Sequence, residues 1–187
     1  MSDRTFGANV ASPETILAFW REAGPDKWFT RDDAFDADIR EKFLATYEAA
    51  AAGQLSAWEA SAEGALALAI VLDQFPRNMF RGDERCYATD PLAREVANRA
   101  LKRGYDQDVP ELERGFFFLP FMHSEDMADQ KRCVALYREA GDANLSYAER
   151  HADIIRRFGR FPHRNALLGR ATTPEEQAYL DAGGFKG

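Results

Sequence analysis

Cysteine is nearly absent. Cys86 and Cys133 are the only two in 187 residues, with no C-x-x-C spacing. That excludes a disulfide framework and a cysteine-built zinc site, and it fits reduced thiols in a cytosol. Long apolar runs are missing too. The longest, Ala65 to Leu72, is far too short to span a bilayer, and Met1–Gly7 has no apolar signal core. The expectation is a cytoplasmic protein without a membrane partner. There is no surplus of basic charge: the net charge is −7 and the pI about 5.1. Bulk nucleic-acid binding needs a net basic surface to neutralise phosphates, so no nucleic-acid partner is expected. The phosphate loop, the dinucleotide fingerprint, the G-x-S-x-G elbow and H-E-x-x-H are all absent. Neither a metal nor an organic cofactor is expected. No useful β alternation occurs, and no repeat of 34 or 40 residues is visible.

What is present is a succession of helix signals. Ser12-Pro13-Glu14 opens a helix that Gly24-Pro25 stops. Asp32 to Ala52 carries Phe35, Ile39, Phe43 and Tyr47 on one face, and Gly53 fits its end. The segment from about Ala57 to Phe75 is apolar throughout Ala65–Leu72. It reads as a central helix buried on all sides and ended by Pro76. Asp90-Pro91 starts a helix that runs to Gly104, and Pro110 starts a short one that Pro120 breaks. Ser124 is placed as the cap of a helix ending at Gly141. Ser146-x-x-Glu149 and Thr173-x-x-Glu176 have capping-box spacing. The reading is an all-α chain of about eight or nine helices in one domain, 1–187. The polar loops near 78–89 and 160–172 are long enough to suggest function.

Four segments carry a family resemblance. They are Leu72-Asp73-Gln74-Phe75-Pro76-Arg77-Asn78, then Pro120 to Asp126, then Arg157 to Asn165, and finally Leu168-Gly169-Arg170. In this order they resemble the bacterial domain of unknown function 924 family, and the similarity runs from Ile16–Trp20 to the final helix. The resemblance implies an array of antiparallel helix pairs like that of tetratricopeptide-repeat proteins. It implies no activity.

The candidate site is read from charge and histidine. Residues 1–65 hold twelve acidic and six basic side chains, whereas 150–170 hold six Arg against one Asp. An anion-attracting patch can therefore exist on an acidic protein. Asp73 stands at the negative end of the most buried helix, where a carboxylate needs a cation. Arg77, Arg160 and Arg164 are the candidates. The bland outcome is a structural Asp–Arg bridge. The functional one is a carboxylate that orients a ligand-binding arginine. His123, His151 and His163 are the only histidines. His123 lies at a helix start beside Ser124, Glu125 and Asp126, as a proton-transfer group or as a cap. His151 shares a face with Ile155 and Phe158 and reads as a core residue. His163 follows Pro162 and precedes Arg164 and Asn165 in a loop. Their spacings of 28 and 12 residues match no metal motif. Phe116-Phe117-Phe118 reads as core packing.

Two functions follow. One is a pocket for a small carboxylate or phosphate compound, with Arg77, Arg160, Arg164, Asn165 and Glu125 around the ligand. In an enzymatic version His123, His163 and Asp73 handle protons. The other is an interaction module that takes an acidic peptide or a C-terminal carboxylate in a groove. Whether the protein is an enzyme, and its oligomeric state, stay open at this level.

Overall fold

The computed structural model describes residues 10–185; the Met1–Gly7 reading lies outside them. Among the described residues there are ten α-helices, five 3-10 turns and no strand. The protein is all-α. The helices are α1 (Pro13–Ala23), α2 (Pro25–Trp28), α3 (Asp33–Ala51), α4 (Ala62–Asp73), α5 (Phe75–Met79), α6 (Asp90–Lys102), α7 (Leu119–Met122), α8 (Met127–Ala140), α9 (Leu145–Phe158) and α10 (Pro174–Asp181). None is long and apolar enough to cross a membrane. The chain divides into two compact units, 1–81 with 85–120, and 82–84 with 121–187.

The first unit is built around α4. Every residue from Gly64 to Asp73 is buried, as the unbroken apolar run demands. Ser61 caps it by accepting the Gly64 N–H at 3.1 Å. Gly64 is required for space: a Cβ there would meet the Trp58 carbonyl oxygen at 2.1 Å. Helices α1, α3 and α6 pack on α4. Trp20 of α1 anchors an aromatic cluster with Trp28, Phe35, Phe75 and Phe116, with ring centroids 5.7–6.0 Å apart. Phe116, Phe117 and Phe118 are buried, as core packing requires.

Pro76 does not end the central helix. The helix stops at Asp73, and Pro76 sits in the first turn of α5, where no intrahelical N–H is needed. The Ala57 end differs as well, because a 3-10 turn over Ser56–Ala60 precedes the Ser61 cap.

The second unit pairs α8 with α9 and adds α10. Its small core is Ile154, Ile155 and Phe161, with Met127, Phe158, Tyr179 and Phe185 packed against it. Two expected caps move. Asp126 caps α8 by accepting the Ala128 N–H at 2.6 Å. Ser124 instead donates to Asp129 and accepts the Asp126 N–H. Helix α9 begins at Leu145, with Asn144 and not Ser146 at its cap, because an Asp142–Asn144 turn delivers the chain two residues earlier. Thr173 and Glu176 form the expected capping box.

Candidate functional site

In the first unit, Asp73 ends α4 with its side chain fully buried. Its cation is Arg77, with Nη1 3.4 Å from Asp73 Oδ1. The same guanidinium forks onto Asp90 at 2.9 and 3.1 Å. Burial opposes the arginine's charge, but Asp73 and Asp90 outweigh it and hold its pKa above the ordinary value. Thr89 Oγ1 donates to the Leu72 carbonyl at 2.6 Å, which satisfies a group the helix end leaves open. Asp73, Arg77 and Asp90 thus tie α4 to α6. The hollows near the α1 and α4 N-termini, about 420 Å³, and between Val10, Phe19 and Lys42, about 500 Å³, include none of the eight candidate residues.

The second unit holds the other candidates: His123, Glu125, Arg160, His163, Arg164 and Asn165. Several of the clustered arginines have acidic partners inside this unit. Arg156 meets Asp153, Arg157 meets Glu175, Arg160 meets Glu176 and Arg170 meets Glu125. The last two are bidentate. Glu176 is 2% exposed and also accepts from Asn165 Nδ2 at 3.2 Å and the Thr173 N–H at 2.8 Å. The Arg160 pair outweighs burial and pulls its carboxyl down to about 2. Burial would raise the Glu125 carboxyl, but Arg170 and the Phe161 N–H outweigh it and hold it below the usual range. Asn165 Oδ1 accepts from Arg170 Nε at 3.0 Å. These bonds fix the 160–172 loop: Glu176 holds Arg160 and Asn165, and Arg170 holds Asn165 and Glu125.

The histidines stand apart from that network. His151 is buried in α9, and its Nδ1 lies 2.7 Å from the Tyr147 carbonyl. A carbonyl only accepts, so Nδ1 carries the proton and Nε2 keeps the lone pair in the neutral ring. Burial pushes its pKa down to about 4, and the charges of His123 and Arg164 act in the same direction. His163 lies in the 3-10 turn Pro162–Arg164. Burial, then Arg164 and His151, push it down to about 3. Its Nδ1 is buried with no hydrogen-bond partner. Arg164 is 7% exposed and lies 4.5 Å over the Phe161 ring. Gln130 Nε2 braces the turn that carries His123 by donating to the Met122 and Ser124 carbonyls at 2.7 and 2.6 Å. Among the described residues, no group of three His, Cys, Asp or Glu side chains is arranged to hold a metal ion.

The profile of a bacterial protein of unknown function, DUF924, matches residues 16–184. The chain belongs to the DUF924 family. It is similar to the solved structure of a protein of unknown function from Agrobacterium tumefaciens, at 53% identity and a TM-score of 0.89, over 91% of this chain and 97% of that one. No curated protein matches the chain.

Several residues of this DUF924 chain escaped the sequence reading. Asp90 was seen only as a helix start, yet it shares Arg77 with Asp73. Arg170 stands in the sequence as one positive charge and the end of the Leu168-Gly169-Arg170 segment, whereas its guanidinium closes the loop on Glu125 and on the Phe161 carbonyl. Phe185 gave no signal at all, because an aromatic just past a Gly-Gly stop has no periodic partner. Its ring lies edge-on to His151 at 4.6 Å and to His163 at 5.2 Å.

Proposed function

We propose that the second unit of this DUF924 protein binds a small carboxylate or phosphate compound at His163 and Arg164, with His123 beside them. The carrying observation is the buried His163 Nδ1, which has no hydrogen-bond partner. A buried polar atom without a partner costs about 1–3 kcal/mol, so its persistence calls for a ligand group or an ordered water. A buried guanidinium next door supplies the charge an anion needs. Arg160 and Arg170, with Glu125, Asn165 and Glu176, hold the loop that presents His163 and Arg164.

The histidine pKa values favour binding over proton transfer. A general base works best near the operating pH, and values of about 4 and 3 lie far below neutrality. Asp73 belongs to the Arg77–Asp90 triad and has a structural role in this reading. The test is a thermal-shift titration with acetate and inorganic phosphate, in the unaltered chain and in Arg164→Met. An anion that stabilises the unaltered chain in proportion to its saturation, and loses that effect in Arg164→Met, supports the reading. Equal shifts in both proteins would overturn it.

A further inference from the structure

The segment after α10 is built as a strap. Gly183, at φ 81, donates to the Leu180 carbonyl, and Gly184 donates to the Tyr179 carbonyl at 2.9 Å. Only glycine fits at 184, since a Cβ there would meet Tyr179 Cε1 and its carbonyl oxygen at 2.5 Å. This close turn folds the chain back over the Tyr179 ring. The Phe185 N–H then donates to the Tyr179 hydroxyl at 2.9 Å. The outcome is a phenyl ring set between two imidazoles, edge-to-face with both. Phe161 lies 5.7 Å from each imidazole, and the Arg150 guanidinium sits 5.5 Å over the Phe185 ring.

This is an unusual setting for a core phenylalanine. A purely structural ring is expected to be sealed from solvent, as Phe75 and Phe117 are in the first unit, at 0% exposure. Phe185 is only partly buried, and where it packs on the Ile154, Ile155 and Phe161 core it also meets two imidazoles and a guanidinium. Imidazole edges and a cation over a ring face are what a protein offers to an aromatic ligand.

Resting on the anion-binding reading above, we propose that Phe185 is a displaceable occupant of a slot for an aromatic carboxylate. The ligand ring replaces the phenyl group between His151 and His163 and keeps Arg150 over its face. Its carboxylate accepts from His163 Nδ1–H and from the Arg164 guanidinium. The strap therefore competes with the ligand, and its departure is part of binding.

Sodium benzoate is the probe, with acetate and inorganic phosphate as controls. Phe185→Ala empties the slot. Tyr179→Phe removes only the hydroxyl that anchors the strap and serves should the first variant fail to fold. Binding is read by titration of the histidine ring resonances. Benzoate is expected to bind Phe185→Ala about ten-fold more tightly than the unaltered chain, the scale of one aromatic pair. Tyr179→Phe is expected to show a smaller gain. Acetate affinity stays unchanged, and the His151 and His163 resonances carry the ring-current shifts. Equal or weaker benzoate binding in the folded variants would overturn the strap. If acetate or phosphate still binds through Arg164 in that case, the anion reading stands alone. If no anion binds any form, both readings fail.

Discussion

Acidification is the perturbation that probes the second unit most selectively. His151 and His163 are neutral in the folded chain, with pKa values of about 4 and about 3, against an ordinary value of 6.5. Burial is the main cause in both. A histidine whose folded pKa lies below its unfolded value contributes stability that is fully present above pH 6.5. That stability is lost as pH falls from 6.5 toward the folded value, because the unfolded chain takes up the proton first. For His151 alone the loss is about 2 kcal/mol by pH 5 and about 3 kcal/mol by pH 3. His163 adds to this, but by less than its own shift implies, since part of that shift comes from the His151 ring. The lowered carboxylates Glu125 and Glu176 act in a separate window. Their contribution is intact above pH 4.5 and fades below it. Denaturant unfolding at pH 7.5, 6.0 and 5.0, followed by signals from α9 and the 160–172 loop, is therefore expected to show a falling stability before any carboxylate titrates. Replacing His151 with Gln is expected to flatten that slope. Flat stability between pH 7.5 and 5.0, or a His151 or His163 resonance that titrates near pH 6.5, would contradict the buried placement of these two rings.

Other perturbations give further outcomes. Arg77→Met leaves the Asp73 and Asp90 carboxylates buried without their shared cation. A loss of about 3 kcal/mol is expected in chemical denaturation, the lower end for a broken buried pair because Arg77 keeps one-fifth of its side chain in solvent. Phe161→Ala removes a fully buried ring that touches both imidazoles and Arg164, and about 3–5 kcal/mol is expected from the cavity. Cys133 is fully buried, and burial pushes its thiol up to about 12. A thiol reagent at pH 8 is expected to modify it only after unfolding, and rapid labelling of the native protein would contradict its placement.

The helices were legible where local chemistry decides them. The Ser12 cap, the Thr173–Glu176 box and the glycine stops at 24 and 141 all act within one turn of chain. The α4 run was legible because ten consecutive buried positions leave no polar face to hide. Errors arose where two local signals competed. Pro76 can end a helix or begin one, and Gln74 settles the matter by closing α4. Ser124 and Asp126 are both good caps, and Asp126 takes the Ala128 N–H. The need of Asp73 for a cation was legible from helix electrostatics. The choice of Arg77, one turn away, depends on Asp90 coming into reach through α6 packing. The arginine excess over 150–170 was visible as charge, but its acidic partners at 125, 175 and 176 lie outside that window. A count of charges within a segment cannot see pairs that tertiary contacts make.

On the proposal above, His163 and Arg164 receive an anion. The most direct measurement is a nitrogen-correlated NMR spectrum of the imidazole rings during titration with phosphate and with acetate. The His163 Nδ1 resonance is expected to move first and furthest, to saturate with added anion, and to stay still in Arg164→Met. Movement confined to exposed side chains, or a His163 signal indifferent to every anion at saturating concentration, would contradict it.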